Sequence, residues 1–372
     1  MNMKKVLVAA VTLAAMLMAS VAQADKVIKL GYTLPLTGSH AQYGELFRNS
    51  AKMQLEEFNK SGKLKGATVE IQFEDSKSDP KEAINIARKF VDDEQIVGVL
   101  GDFTSTVSMA CGRVYAMEGM PQLSQTASHP DFTKVGKYQF RNITTQAFEG
   151  PFVAKWAKSL DFSKFAIIAI QNDWGISAAE NFAEAIKGLG GEVTGIEYFN
   201  PGNRDFRSIL TKVVREKPQA IYLCMMYEEG AMVLQQRHQL GIDVPVFGTS
   251  SLYSPKLLEL AGDAANGMYL STTFMPDSPE EHVVHFVTEY EKRYNSAPSM
   301  FAAQAYDAVG IMLDAVAKVG PEVTRDSLRD ALAATKDYPG VTGSTTFDPE
   351  TREPVKGLAR MQVVNGAYKL VK

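Results

Sequence analysis

The stretch Val97-Gly-Val-Leu-Gly-Asp-Phe-Thr-Ser-Thr106 passes from an apolar run into a loop of small and hydroxyl-bearing residues. The run 97–100 is almost continuously apolar, which is typical of a short strand buried on both faces of a parallel sheet. A helix is predicted directly after the loop. A strand, a loop and a helix in this order form the repeating unit of an α/β fold.

The same unit recurs on both sides of this stretch. The strand candidates are residues 27–34, 68–73, 97–100, 122–124, 165–170, 193–199, 220–225, 246–248 and 268–272. Amphipathic helices are predicted between them, and Asp79-Pro80-Lys81-Glu82 is typical of a helix start. The alternation pauses at residues 138–145 and resumes at Phe165, so we predict an α/β protein with two similar parallel-sheet lobes.

Composition and motifs exclude several classes of function. The 372 residues include 39 basic and 43 acidic side chains, so the basic excess of a nucleic-acid-binding protein is missing. The sequence contains no nucleophile elbow, phosphate-binding loop or zinc-protease motif. His282 and His285 have a spacing that could hold a metal, but a solvated helix face explains them better. We therefore expect no enzyme activity, metal or cofactor.

The first 24 residues are typical of an export signal. Lys4 and Lys5 precede the apolar run 6–19, and Ala22-Gln-Ala24 provides a small-x-small cleavage site. A membrane anchor is the alternative, but the run is shorter than a spanning helix. We expect cleavage after Ala24 and a mature chain in the periplasm.

The two cysteines, Cys111 and Cys224, are expected in different lobes. In an oxidising compartment they could pair. Each lies in an apolar run, however, which favours two buried free thiols.

Hydroxyl side chains are concentrated after two neighbouring strands of the first predicted lobe, in residues 101–106 and 124–130. Ligands of open α/β sheets bind beyond the carboxyl ends of the strands. Loops of this kind before a helix can hold a carboxylate without lysine or arginine, although simple N-capping is the alternative. Aromatic residues that begin other loops could line an apolar cleft; they are Tyr43, Trp174, Tyr227, Tyr253 and Phe301.

Several segments together carry a family resemblance. They are residues 29–38, 42–44, 79–83, 101–105, 124–130, 173–175 and 340–348. In their order and spacing the chain resembles the type I periplasmic solute-binding proteins of branched-chain amino acid ABC importers. The resemblance implies two α/β lobes joined by three hinge strands near residues 141–145, 271–274 and 344–348. The lobes would comprise residues 25–143 with 274–345, and 144–273 with 346–372.

The resemblance also implies roles for individual residues. Ser105 and Ser128 match hydroxyls that hold a ligand carboxylate, with help from the backbone of Thr126. The apolar and aromatic contacts would come from Tyr43 and Phe301 in the first lobe, and from Trp174 and either Met226 or Tyr227 in the second.

One position departs from the family pattern. Ser250 stands where the family has the glutamate that binds the ligand amine. An ammonium in a closed cleft needs a charge partner, and Asp102, Glu228 and Glu229 are candidate substitutes. We favour the Glu228–Glu229 pair; the alternative is a ligand without an amine, such as an aromatic or aliphatic carboxylate.

The expected function is capture of a small carboxylate, favoured to be a branched-chain or other apolar amino acid. The expected partners are this small molecule and the membrane permease of an ABC importer. A ligand sensor of the same fold and a secreted hydrolase are the remaining alternatives.

Overall fold

Two separate sheets organise the chain in the computed structural model, which describes residues 26–371. The first sheet is entirely parallel, with strand order β2-β1-β3-β4-β5. Its strands are β1 (Lys26–Leu34), β2 (Ala67–Asp75), β3 (Ile96–Gly101), β4 (Gln122–Ser124) and β5 (Gln139–Arg141). The carboxyl ends of β3 and β4 lead directly into the two segments rich in hydroxyl side chains, residues 101–106 and 124–130, which we call the first and second hydroxyl loops.

The second sheet has seven strands in the order β12-β11-β10-β9-β8-β6-β7. These are β6 (Lys164–Ile170), β7 (Glu192–Phe199), β8 (Ala220–Cys224), β9 (Val246–Gly248), β10 (Tyr269–Thr272), β11 (Ala359–Val364) and β12 (Ala367–Leu370). Five strands are parallel, whereas β11 and β12 form an antiparallel hairpin that pairs with β10. The C-terminal part of the chain thus completes the second sheet.

Eleven α-helices lie in the described part of the chain. They are α1 (Ala41–Ser61), α2 (Pro80–Asp92), α3 (Ser105–Met117), α4 (Gln146–Ser159), α5 (Asp173–Gly188), α6 (Arg207–Arg215), α7 (Tyr227–Gln239), α8 (Pro255–Ala261), α9 (Glu281–Tyr294), α10 (Met300–Val319) and α11 (Arg325–Ala333). Helix α10 packs along α1, and α11 packs on α10 and β3, so both extend the first lobe. Among the described helices, α10 alone is long and apolar enough to cross a membrane, but 83% of its most apolar window is buried in the fold.

The predicted α/β class with two parallel-sheet lobes is confirmed. All nine predicted strands are present, with ends shifted by at most two residues. The prediction missed β5, β11 and β12. Strand β5 contains one apolar residue among three and is buried by its surroundings, while β11 and β12 are only partly buried.

A buried polar network connects the residues that follow β5 and β10 with helix α10 and with the segment 345–356. The Asn142 amide donates to Gln304 Oε1 at 3.0 Å, and Gln304 Nε2 donates to Thr273 Oγ1 at 2.7 Å. Asn142 Oδ1 accepts from Thr345 Oγ1 at 3.2 Å and from Lys356 Nζ at 2.8 Å. One asparagine therefore ties together parts of the chain that are more than 200 residues apart in sequence.

Both cysteines are free and buried, as favoured from the sequence. Cys111 lies in α3 of the first lobe and Cys224 in β8 of the second. The proposed signal peptide lies outside the described residues.

Gly175 provides a test of the local packing that starts α5. A Cβ atom at this position would lie 2.1 Å from the carbonyl oxygen of Ile170, whereas a Cβ at Gly188 in the same helix would meet nothing within 4 Å. We expect Gly175→Ala to lower the free energy of unfolding by about 1–3 kcal/mol, because the backbone must shift to relieve the overlap. Gly188→Ala should be neutral or stabilising by up to about 1 kcal/mol. Urea denaturation measures both, and equal effects would contradict this account.

Candidate functional site

A small cavity of about 30 Å³ lies between the two lobes, beyond the carboxyl ends of their strands. It is narrow because side chains from both lobes meet around it. Seven residues predicted from the sequence line it: Ser105, Thr126, Ser128, Trp174, Met226, Ser250 and Phe301. Residues that the prediction did not include also contribute, among them Phe103, Gln146, Asn172 and Met300.

Ser105 and Ser128 are arranged to donate hydrogen bonds into this cavity. Ser105 Oγ accepts from the backbone N–H of His129 at 3.2 Å, and Ser128 Oγ accepts from Gln146 Nε2 at 3.2 Å. Both side chains are buried. A hydroxyl that already accepts from the protein still has its own proton to donate, so the pair can bind an anion.

Thr126 lines the cavity but cannot use its side chain in the same way. Its Oγ1 donates to the carbonyl oxygen of Phe103 at 2.7 Å. This bond occupies the hydroxyl proton and joins the two hydroxyl loops. The backbone N–H of Thr126 donates to Ser124 Oγ at 3.4 Å, so the help expected from this backbone would require that long bond to open.

The Arg141 guanidinium holds the second loop in place. Its NH1 group donates to the carbonyl oxygens of Ala127 at 2.8 Å and His129 at 2.7 Å. Burial lowers the pKa of Arg141 to about 10, with Glu353 acting against that shift. Arg141 therefore positions Ser128 without lining the cavity. No lysine or arginine is among the lining residues in the described chain.

Aromatic rings form the apolar wall on the first-lobe side. Phe103 lines the cavity and stacks on Tyr43 with ring centroids 4.5 Å apart. Phe301 packs edge-on against both rings. Tyr43 thus lies behind Phe103 and does not line the cavity. Phe103 is the one aromatic residue in the loop 101–106, which is the signal that could have identified it.

Trp174 and Met226 close the cavity from the second lobe. Trp174 is in the first turn of α5, where the Asn172 side chain caps the helix by accepting from the Gly175 N–H at 2.8 Å. Met226 directly precedes α7. Tyr227 instead lines outer grooves and lies 5.3 Å from Tyr43 between ring centroids. Of the two alternatives, the structure places Met226 at the cavity.

Glu228 connects the two lobes and does not line the cavity. Its carboxylate accepts from the hydroxyl of Tyr43 at 2.8 Å and from the side-chain amide of Gln42. Both donors belong to the first lobe. Glu229 lines an outer groove of about 480 Å³, and burial raises its pKa to about 7.

Asp102 is also away from the cavity lining. Its carboxylate is fully buried and accepts from the Phe103 N–H at 2.5 Å. Burial raises the pKa of Asp102 to about 7, and hydrogen bonds from Ser76 and from backbone N–H groups partly offset the shift. Within residues 26–371, none of the acids proposed as amine partners lines the cavity.

Glu149 is a buried acid that the sequence prediction did not include. Its Oε1 accepts from the backbone N–H of Ser250 at 2.6 Å and from Ser271 Oγ at 2.5 Å. Its Oε2 accepts from Gln146 Nε2 at 2.8 Å. Glu149 thus lies directly behind two residues of the cavity wall, Gln146 and Ser250.

Residues 27–367 match the model of a protein family described as periplasmic binding protein. A curated relative from Pseudomonas aeruginosa, the leucine-, isoleucine-, valine-, threonine-, and alanine-binding protein, is 30% identical over 335 residues. The aligned region covers 89% of this chain and 88% of that protein.

Two solved structures extend the comparison. A Rhodospirillum rubrum protein, provisionally described as a branched-chain amino acid ABC transporter, is 51% identical with a TM-score of 0.73, covering 93% of this chain and 100% of that one. The substrate-binding protein LivJ of Streptococcus pneumoniae, solved with isoleucine, is 28% identical with a TM-score of 0.84, covering 93% and 99%.

The buried carboxyl of Asp102 predicts a specific dependence of stability on pH. Because its pKa is raised in the folded protein, the folded state binds a proton more tightly than the unfolded chain does. Stability from this group is therefore greatest below about pH 4 and falls as pH rises towards 7, by at most about 1.4 kcal/mol per pH unit.

Asp102→Asn should remove this component. The stability of the variant relative to the original protein should rise from pH 4 to 7 and then level off. Urea denaturation at several pH values measures it, and a constant difference across the range would contradict the assignment.

Proposed function

The chain belongs to the periplasmic binding protein family, and from this premise we propose that it is the solute-binding component of an ABC importer. The protein would be exported through a cleaved signal peptide and would capture a small carboxylate in the periplasm. The solute is an apolar amino acid of the branched-chain type, delivered to a membrane permease. The type I fold expected from the resemblance is confirmed by the relatives described above.

The observation that carries the proposal is the composition of the cavity wall. Two buried hydroxyls, those of Ser105 and Ser128, are free to donate to a carboxylate, and no cationic side chain lines the cavity in the described chain. Phe103, Phe301 and Trp174 provide apolar surface for a hydrocarbon side chain. Nothing in this arrangement requires a chemical step, so the proposed role is binding and release.

A carboxylate without an amine is the second candidate ligand. It is favoured by one observation: no acidic side chain lines the cavity in residues 26–371. Mass spectrometry of small molecules released from the purified, denatured protein separates the two candidates. Recovery of an amino acid supports the first candidate, and recovery of an aromatic or aliphatic acid supports the second.

Closure of the lobes is the proposed mechanism of capture. Glu228 reaches from the second lobe to Gln42 and Tyr43 in the first, and these contacts can form only when the lobes are together. The Rhodospirillum rubrum structure is more similar to this chain in sequence than LivJ is, yet it superposes less well, with a TM-score of 0.73 against 0.84. We expect such a difference if the angle between the two lobes differs between this chain and the Rhodospirillum rubrum structure. Bending would take place in the crossing segments that Asn142 connects.

Ser105→Ala tests the carboxylate site. A hydrogen bond to a charged group contributes about 1.5–3 kcal/mol, so the variant should bind roughly tenfold to a hundredfold more weakly. Calorimetric titration with leucine, isoleucine, valine and phenylalanine measures the effect. Thr106→Ala is the matched control, because Thr106 is in the same helical turn and does not line the cavity. Equal affinity in Ser105→Ala and the control would mean that the hydroxyl only stabilises the loop.

Glu228→Ala tests closure. Loss of its cross-lobe hydrogen bonds should weaken binding roughly tenfold, and equally for an amino acid and its deaminated analogue, because the contact stabilises the closed form and does not touch the ligand. Small-angle scattering should show a smaller radius on ligand binding in the original protein. Glu259→Ala, which removes an exposed acid, is the control. An unchanged radius at saturating ligand would contradict closure.

A further inference from the structure

Gln146 carries an unpartnered side-chain acceptor. It is the first residue of α4, is buried and lines the cavity. Its Nε2 donates to Ser128 Oγ at 3.2 Å and to Glu149 Oε2 at 2.8 Å. A carboxylate has no proton to donate, so Glu149 fixes the amide with its nitrogen towards the acid.

The carbonyl oxygen, Gln146 Oε1, is therefore left over. It is buried without a hydrogen-bond partner, and in the described chain no other lining residue has such a side-chain atom. A buried acceptor without a donor is costly. A ligand that brings a donor to this oxygen would satisfy it.

The position of this acceptor limits where the donor can be on the ligand. The same amide is bonded to Ser128 Oγ, which is one of the two hydroxyls available for a carboxylate. A donor that meets Gln146 Oε1 would thus be close to the ligand's carboxylate. An α-amino group fulfils this requirement because it is attached to the carbon that bears the carboxylate. A donor at the far end of a chain or ring does not.

Glu149 provides the charge that an ammonium needs. It is buried and accepts hydrogen bonds from two residues of the cavity wall, Gln146 and Ser250. In a site without bulk water, a carboxylate one layer behind the wall still favours a cation in the cavity. It also polarises the Gln146 amide, which strengthens the carbonyl oxygen as an acceptor.

We propose that Gln146 Oε1 binds the α-ammonium of the ligand, and that Glu149 acts as a positioning residue and counter-charge from behind it. Ser250, which replaces the family glutamate, would complete this side of the site. The proposal rests on the proposed function and names its substrate class as α-amino acids.

A purely structural role for Glu149 accounts for only part of the arrangement. Acids are favoured in the first turn of a helix because of the helix dipole, and Glu149 also joins α4 to Ser250 and Ser271. That role leaves unexplained the unpartnered Oε1 of Gln146, a residue that lines the cavity. The experiment must therefore measure ligand preference as well as stability.

Glu149→Gln is the principal variant. Its new carbonyl oxygen can still accept from the Ser250 N–H, so its NH₂ group would face Gln146. The Gln146 amide would then have to turn round, so that its oxygen faces this NH₂ group and its nitrogen faces the cavity. The cavity would then present a donor where an ammonium needs an acceptor. The probes are two matched pairs, leucine with 4-methylpentanoate and phenylalanine with 3-phenylpropanoate, titrated by calorimetry.

The expected result is a change in preference. Glu149→Gln should lower the ratio of amino-acid affinity to deaminated-acid affinity by tenfold or more. Both ligands lose the bond that Gln146 Nε2 makes to Ser128 Oγ when the amide reverses, so the ratio of affinities, and not either affinity alone, is the readout. Glu149→Asp, which retains the charge, should keep more of the preference. Gln146→Leu removes the acceptor directly and gives an independent test if Glu149→Gln does not fold. Glu184→Gln, at an exposed acid of α5, is the matched control.

The other outcomes are distinguishable. If the original protein binds an amino acid and both Glu149→Gln and Gln146→Leu keep its preference over the deaminated acid, this inference is overturned and the proposed function stands. If the original protein binds the deaminated acids equally well or better, α-amine recognition is overturned and carboxylate capture stands. Failure to bind any of the four probes would overturn the inference together with the proposed ligand class.

Discussion

A hydroxyl group has one proton to donate, and the candidate site depends on how that proton is kept available. At Ser105 and Ser128 the oxygen already accepts a hydrogen bond from the protein, so the proton can be directed at an anion. The donors come from the second hydroxyl loop and from the first residue of α4. The two loops, the carbonyl contacts of Arg141 and the start of α4 must therefore all be correctly placed before two small side chains can hold a charge.

This dependence explains why the site lies where two sheets face each other. Parallel strands end at one edge of a sheet, and the loops that follow supply backbone and hydroxyl groups. In the first lobe these loops follow β3 and β4; in the second lobe Trp174 and Met226 stand at the starts of helices. Each lobe provides half of the enclosure, and Glu228 joins them at the rim through Tyr43.

Sequence patterns predicted most of the fold because buried parallel strands are almost continuously apolar. They failed for β5, β11 and β12, which are short or only partly buried and depend on neighbours distant in sequence. At the site, the hydroxyl loops were recognisable because their composition is local. Gln146 and Glu149 were not, because a glutamine and a glutamate in the first turn of a helix look ordinary until the side chains around them are known. Glu228 was identified as an acid near the cleft, but its bond to Tyr43 links residues 185 positions apart.

The burial of Cys111 and Cys224 in opposite lobes has a consequence for biogenesis. Each thiol is fully enclosed, by α3 and its neighbours in one case and by the second sheet in the other. Burial raises the pKa of both thiols well above the ordinary range, so little reactive thiolate is present in the folded protein. Before folding, the same two groups are exposed on a flexible chain and can be oxidised or cross-linked. In an oxidising compartment, packing of each lobe therefore protects its own thiol, and folding must bury both groups before they react.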